Sequence, residues 1–287
     1  MPPVNVVTTD NQRIRRAFSA ASRSYEQSAV LQREVSARLL ERLTEIGKPA
    51  RRVLDIGAGT GTSIRNLQQH YPEAECVALD SALSMLLESG QRNTTAGTSA
   101  VCGDASTLPF ADSIFDLVFS SLTMQWCSDL EVVFGEVRRV LAAKGLFLFT
   151  TLGPDTLYEL RDSWAQVDSL VHVNRFSDMH DVGDALLRAG FADPVVDMER
   201  IVLTQPDVQT LLHDLKALGA NTLFTGYRRG LTGRGMMQRM IKAYERFRRP
   251  EGDIPATFEV VYGLAWQADN ERPLRFVSPD SFLSGRY

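Results

Sequence analysis

Three glycines on alternate positions, Gly57, Gly59 and Gly61, follow the hydrophobic run Val53-Leu54-Asp55-Ile56. Glycines so spaced let the backbone turn sharply and approach a bound group with no side chain between, and the helix that follows offers its N-terminal N–H groups. A dinucleotide site would space them GxGxxG, whereas this run reads GxGxG with Asp55 ahead of it. An acid beside the loop is badly placed for a pyrophosphate and well placed, directly or through water, for an ammonium. Asp80 ends the next hydrophobic run, about twenty residues on, where a carboxylate can accept both hydroxyls of a ribose. Asp104 closes a third run in Cys102-Gly103-Asp104-Ala105. It can accept from an adenine amino group while the Ala105 N–H bonds to the ring. Each feature has a plainer reading, as a structural turn for the glycines, a helix N-cap for Asp80 and a turn aspartate for Asp104. Together they describe a ligand with a cation, a ribose and an adenine, and no phosphate.

The elements that must position these residues can be read from periodicity. RRVLDIG, ECVALD, SAVCGD, FDLVFSSL and GLFLFTTL are short apolar runs, and SIRNLQQHY, SALSMLLESG and LEVVFGEVRRVL between them have helical spacing. Strands of nearly continuous apolar character alternating with helices are what a parallel sheet covered on both faces requires. The prediction is a doubly wound, mostly parallel seven-stranded α/β sheet, binding its ligand along the carboxyl ends of the strands. Residues 1–48 are read as an N-terminal lid of two helices, closed by Gly47-Lys48-Pro49. Residues 49–152 are read as the ligand-binding core. Residues 153–287 complete the sheet with strands at PVVDMERIVLTQ and ATFEVVYGLAWQA and carry helical insertions.

Composition sets the outer bounds. The chain has 287 residues, 44% of them hydrophobic, with a formal net charge of −4. These values fit a globular protein and exclude a coiled coil or a long disordered tail. An acidic balance argues against nucleic acid as partner, and no run is long and apolar enough to suggest a membrane span. The three cysteines, Cys76, Cys102 and Cys127, are scattered, which fits a reducing compartment and a cytoplasmic location, and no metal-ligand spacing is present. Charge is uneven, however. From Arg228 to Arg249 eight basic residues face only Glu245, a concentration suited to an anion or an acidic partner.

VLDIGAGTG, ALD, GDASTLPF and FDLVFSSLTMQW resemble the successive motifs of the class I methyltransferases that use S-adenosylmethionine. By that likeness Gly57, Gly59 and Gly61 form the cofactor turn, Asp55 sits near the methionine amine, Asp80 holds the ribose and Asp104 with Ala105 binds adenine. Ser120, Leu122 and Gln125 line the pocket on the side of the fourth strand, and S-adenosylhomocysteine is the product. The flanks resemble one family within that class, the malonyl-[acyl-carrier protein] O-methyltransferases of biotin synthesis. The likeness rests on Arg16-Ala17-Phe18, Ser24-Tyr25, Gln32, Gln125-Trp126-Cys127, the segment Phe149–Arg161, His172–Phe176 and Leu215–Asn221. It implies methylation of the free carboxyl of a malonyl thioester.

A carboxylate is already ionised at neutral pH, so the reaction asks for alignment and desolvation rather than a base. Arg161 and Arg175 are the candidates to steer the substrate carboxylate, each a guanidinium fork beyond the fifth strand. Tyr25 is read as a hydroxyl over the reacting centre and His172 as a substrate contact, against plainer readings as packing residues. Trp126 is read as a wall of the acceptor pocket. Arg228, Arg229, Arg239, Lys242 and Arg246 are the candidates to receive an acidic carrier protein and its phosphopantetheine arm; the plainer reading is a solvated helix face. A methyltransferase for small acids, phenols or amines shares the cofactor half, and an inactive cofactor-binding adaptor or an RNA methyltransferase is disfavoured. The chain is read as a monomer.

Overall fold

A computed structural model describes residues 11–92, 98–219 and 233–268. One seven-stranded sheet runs through it in the order β3-β2-β1-β4-β5-β7-β6. The strands are β1 (Arg52–Ile56), β2 (Glu75–Asp80), β3 (Thr98–Cys102), β4 (Phe115–Ser120), β5 (Leu141–Leu152), β6 (Ala192–Gln205) and β7 (Ile254–Trp266). The first five are mutually parallel, while β7 is antiparallel to both β5 and β6. Chain order reverses between β1 and β4, which opens the crevice at the carboxyl ends where such sheets take ligands.

Two apolar clusters, one on each face, explain the continuous hydrophobic runs. Val53, Leu117, Leu146 and Leu148 enter the first cluster, and their chain neighbours Leu54, Val118, Phe147 and Phe149 enter the second. Alternate side chains of a strand point to opposite faces, so a strand buried on both must be apolar at every position. On the second face Phe134 of α6 (Leu130–Val140) packs its ring against Phe149, with centroids 5.2 Å apart.

The N-terminal region forms three helices where the sequence reads as two: α1 (Asn11–Ala21), α2 (Tyr25–Ser28) and α3 (Val30–Ile46). A tight turn at Ser24, whose N–H donates to the Ala21 carbonyl at 3.0 Å, breaks the pattern and sets Tyr25 at the head of a short separate turn. Helix α3 ends at Gly47 with φ 64°. It is tied to the sheet by Arg38 to Glu199 and Arg42 to Asp197, both at 2.6 Å, and by the Arg42 guanidinium 3.9 Å over the Tyr262 ring. These ties leave α1 and α2 to cover the crevice.

Helices α4 (Thr62–His70) and α5 (Leu83–Arg92) follow β1 and β2, while α7 (Tyr158–Ala165) and α8 (Met179–Arg188) lie between β5 and β6. Helices α9 (Val208–Ala217) and α10 (Arg234–Tyr244) lie between β6 and β7. Arg228 and Arg229, with the segment 270–287, lie outside the described residues. Among the described residues no helix is long and apolar enough to cross a membrane, and no group of acids, histidines and cysteines could hold a metal ion.

Candidate active site

A cavity of about 410 Å³ opens at the carboxyl ends of the strands, a size that suits a small ligand. Gly57, Gly59, Asp80, Asp104, Ala105, Leu122, Gln125 and Trp126 line it, with Tyr25 and Gln32 from the N-terminal helices. The glycine loop is held close. The Gly57 N–H donates to the Leu79 carbonyl at 2.7 Å, and the Gly59 N–H to Asp80 Oδ2 at 3.0 Å. Asp80 Oδ1 accepts from the Ala82 N–H at 2.8 Å. One carboxylate thus joins the β1 loop to the turn after β2, and the capping and ligand readings of Asp80 are compatible. Burial pushes the Asp80 carboxyl above the usual carboxylate range, and the two N–H donors oppose that.

Asp55 stands behind the loop rather than on the wall. It is buried, and its Oδ2 has no hydrogen-bond partner among the described residues. Burial, with the neighbouring charge of Asp80, pushes its carboxyl up to about 8. A buried acid without a donor is costly to ionise, and an ammonium reaching it directly or through water would lower that cost. An unfolded aspartate titrates near ~3.9, so the ligand-free protein should lose stability as pH rises from about 4 through about 8. Affinity for a ligand whose ammonium pairs with the ionised carboxyl, S-adenosylhomocysteine by the resemblance above, should rise over the upper part of that window, by about 50-fold between pH 6 and pH 8. Calorimetric titration across pH checks this, and Asp55→Asn should flatten the dependence.

Asp104 Oδ1 accepts from the Ser106 N–H at 2.9 Å and the Ser106 hydroxyl at 2.7 Å, while Asn11 of α1 reaches Oδ2 at 3.5 Å. The aspartate therefore both makes a turn and faces the cavity. Tyr25 is carried over the loop by its neighbour Glu26, whose Oε1 accepts from the hydroxyls of Thr60 and, at 3.0 Å, Thr62. Burial, with Asp80 and Glu26 nearby, raises the Tyr25 phenol well above its ordinary value, so it stays a neutral donor. Leu122 takes the left-handed conformation, φ 49°, held by its N–H to Thr150 Oγ1 at 2.9 Å and its carbonyl to Gln125 Nε2 at 2.7 Å.

Ser120, expected on the cavity wall, does not line it. It is fully buried and donates to the Ile56 carbonyl at 2.8 Å, while Ser121 next to it faces the cavity. The alternation of a strand puts adjacent serines on different sides. Arg161, His172 and Arg175 also stand apart from the cavity wall. Arg161 Nη1 donates to the carbonyls of Pro154 and Thr156, His172 stacks on Trp164 with centroids 3.8 Å apart and meets Asp168 at 2.9 Å, and Arg175 is exposed. Two buried acids account for this. Glu159 accepts from the Thr257 hydroxyl at 2.5 Å, and Glu259 from the Asp155 N–H at 2.8 Å, so the chain after β5 is fastened to β7 instead of roofing the crevice.

The apolar wall facing the N-terminal helices comes from Leu152, Leu203, Leu211, Leu215, Ala256 and Phe258. Nothing in the local sequence marks these as site residues, since they read as ordinary strand and helix core.

The model of a methyltransferase domain family matches residues 54–149, the span from β1 to β5. Solved structures share the fold at low identity. The YcgJ protein of Bacillus subtilis aligns with TM-score 0.58 at 17% identity over 81% of this chain and 99% of its own. The phosphoethanolamine N-methyltransferase 2 of Haemonchus contortus, solved with S-adenosyl-L-methionine, aligns with TM-score 0.57 at 17% identity over 88% and 57%. Curated relatives decide the family. A malonyl-[acyl-carrier protein] O-methyltransferase of Gallionella capsiferriformans is 47% identical over 92% of this chain and 93% of its own length. The chain belongs to that family. The relative of the same name in Laribacter hongkongensis is 48% identical over 90% of each chain. Matches of this extent take in most of the chain beyond residues 54–149, so the family relation covers the helical cover and back wall as well as the sheet.

Proposed function

We propose that the protein transfers the methyl group of S-adenosylmethionine to the free carboxylate of malonyl-acyl-carrier protein, giving the methyl ester that primes pimeloyl and biotin synthesis. The observation that carries this reading is 47% identity across 92% of the chain to an enzyme of that name. The site supports it with a set suited to a cationic nucleoside without phosphate: on the cavity wall Asp80 suits the ribose hydroxyls and Asp104 with Ala105 suits adenine, and behind the glycine loop Asp55, its Oδ2 unpartnered, suits an ammonium.

When bound, S-adenosylmethionine supplies a methyl group already activated on a sulfonium. The glycine loop lets the backbone approach the ligand, and Tyr25 holds a neutral hydroxyl over the reacting centre. Ile14 and Phe18 of α1 line the cavity, with the Phe18 ring edge-on to Trp126 at 5.2 Å, and so keep water out. Stripping water from a carboxylate raises its nucleophilicity, and fixing it in line with the methyl removes the entropy of encounter. No residue needs to remove a proton. The three free cysteines support a reducing, cytoplasmic setting.

For the carrier, the reading assigns the basic face of α10. Arg239 and Lys242 are exposed with no acidic partner among the described residues, whereas Arg246 is 3.5 Å from Asp162. Exposed charges of this kind steer an acidic protein and are screened by salt. The Michaelis constant for malonyl-carrier should rise about tenfold between 50 and 300 mM salt, and Arg239→Glu with Lys242→Glu should raise it similarly at low salt. A salt-independent constant would refute the assignment. The reaction itself is tested by incubating the protein with S-adenosylmethionine and, in parallel, malonyl on carrier protein, malonyl on coenzyme A and free small acids. Product on the free acids alone would make it a small-molecule methyltransferase.

A further inference from the structure

Glu26 stands outside the cavity, while its neighbours on α2, Tyr25, Gln27 and Ser28, line it. Its Oε1 accepts from two hydroxyls, that of Thr60, which lies between Gly59 and Gly61 in the glycine loop, and at 3.0 Å that of Thr62, which opens α4. Both donors are braced from behind. Arg65, one turn along α4, donates through Nη2 to Thr62 Oγ1 at 3.0 Å and through Nη1 to the Thr60 carbonyl at 3.3 Å. The Glu26 carbonyl in turn accepts from Arg33 of α3. The other ties of this cover reach elsewhere: Asn11 bonds to Asp104, the Phe18 ring meets Trp126, and the Ser24 hydroxyl donates to the Ala217 carbonyl of α9 at 3.5 Å.

A side chain that lies outside the cavity can act on the ligand only through what it holds. Helix α2 has four residues, too few to keep its own conformation, so the place of Tyr25 is set by the contacts on either side of it. The bonds from Thr60 and Thr62 to a carboxylate are of the stronger, charge-assisted kind. The glycine loop, by contrast, has its own bonds, from the Gly57 N–H to Leu79 and from the Gly59 N–H to Asp80. Loss of Glu26 therefore releases α2 and leaves the loop and the nucleoside groups where they are.

We propose that Glu26 is a positioning residue for methyl transfer: by fastening α2 to the glycine loop from outside the cavity it keeps Tyr25 over the reacting centre, and its effect falls on the rate of transfer and not on affinity for the nucleoside. This rests on the methyl-transfer reading above. A supporting contact of this kind matters because a group at the reacting centre must be held to within a fraction of an ångström.

The experiment compares wild type, Glu26→Ala, Glu26→Gln, the pair Thr60→Val with Thr62→Val, Tyr25→Phe, and Tyr25→Phe with Glu26→Ala, all as full-length proteins. Each is titrated with S-adenosylhomocysteine and assayed with malonyl-carrier. Glu26→Ala should keep affinity for S-adenosylhomocysteine within about threefold and lose about 20-fold in kcat with little change in KM, the worth of a hydrogen bond to a charged group. Glu26→Gln keeps an acceptor oxygen in place and should return to within about threefold of wild type. The threonine pair should reproduce Glu26→Ala, and carries the same comparison if Glu26→Ala does not fold. Tyr25→Phe should be slower than wild type, and adding Glu26→Ala to it should cost less than about threefold more, because the one residue acts through the other. Unchanged kcat in Glu26→Ala or in the threonine pair, or losses that multiply in the Tyr25→Phe background, overturn the proposal. A loss in Glu26→Ala that lies wholly in affinity for S-adenosylhomocysteine overturns it too, by making Glu26 part of the nucleoside site. A wild type that binds S-adenosylhomocysteine and leaves malonyl-carrier unmethylated overturns the function and this role with it, and so is distinguishable from failure of the role alone.

Discussion

Asp80→Ala should lower affinity for S-adenosylhomocysteine by at least about 100-fold. The carboxylate is held by the Gly59 and Ala82 N–H groups at 3.0 and 2.8 Å, so it meets a ribose already oriented. Hydrogen bonds to a charged group contribute about 1.5–3 kcal/mol each. Two ribose hydroxyls lost from a preset carboxylate amount to about 3 kcal/mol or more, which is the 100-fold. The substitution also strips the Gly59 N–H of its acceptor, loosening the loop that the ligand must approach. Asp80→Asn keeps the shape and one acceptor, and should fall between alanine and wild type. Calorimetry on the folded variants reads both, and near-native affinity in Asp80→Ala would remove Asp80 from the site.

Gly57→Val should abolish measurable binding and lower the melting temperature. The residue has φ 75°, a region costing a side chain about 1–2 kcal/mol. More decisive is the space. A Cβ at Gly57 would overlap the Thr123 side chain, which belongs to the turn after β4 that places Gln125 and Trp126. Relief requires the β1 loop and the β4 turn to part, and both line the cavity. Gly57→Ala in a Thr123→Gly background should recover part of the stability, because the overlapping atoms are gone while the φ cost remains. No recovery would mean that the clash is not the cause.

The parts of this molecule legible from the sequence are those set by local pattern and by one sheet edge. Apolar runs at Val53–Ile56 and Val77–Leu79 can only be strands covered on both faces, and whatever follows them must emerge at the carboxyl end, so Gly57, Asp80 and Asp104 meet without any knowledge of packing. What depends on distant partners is not legible. Glu159 and Glu259 look like surface acids in sequence, yet the burial of Glu159 against β7, and of Glu259 in β7 against the Asp155 N–H, decides that Arg161 faces carbonyls of its own loop instead of a substrate. The difference between Ser120 and Ser121 is one residue of strand register, where an error exchanges inside for outside. Glu26, buttressing Tyr25 from Thr60 and Thr62 more than thirty positions away, carries no local signal.

The proposed reaction joins a methyl group to a carrier-borne carboxylate in this cavity. Intact-protein mass spectrometry of malonyl-acyl-carrier protein, after incubation with the enzyme and S-adenosylmethionine labelled with deuterium in the methyl group, tests it most directly. The carrier should gain one labelled methyl, mild base should remove it as methanol, and carrier bearing acetyl in place of malonyl should gain nothing. Unmodified malonyl-carrier in the presence of protein shown to bind S-adenosylhomocysteine, or label arriving equally on the acetyl form, would contradict it.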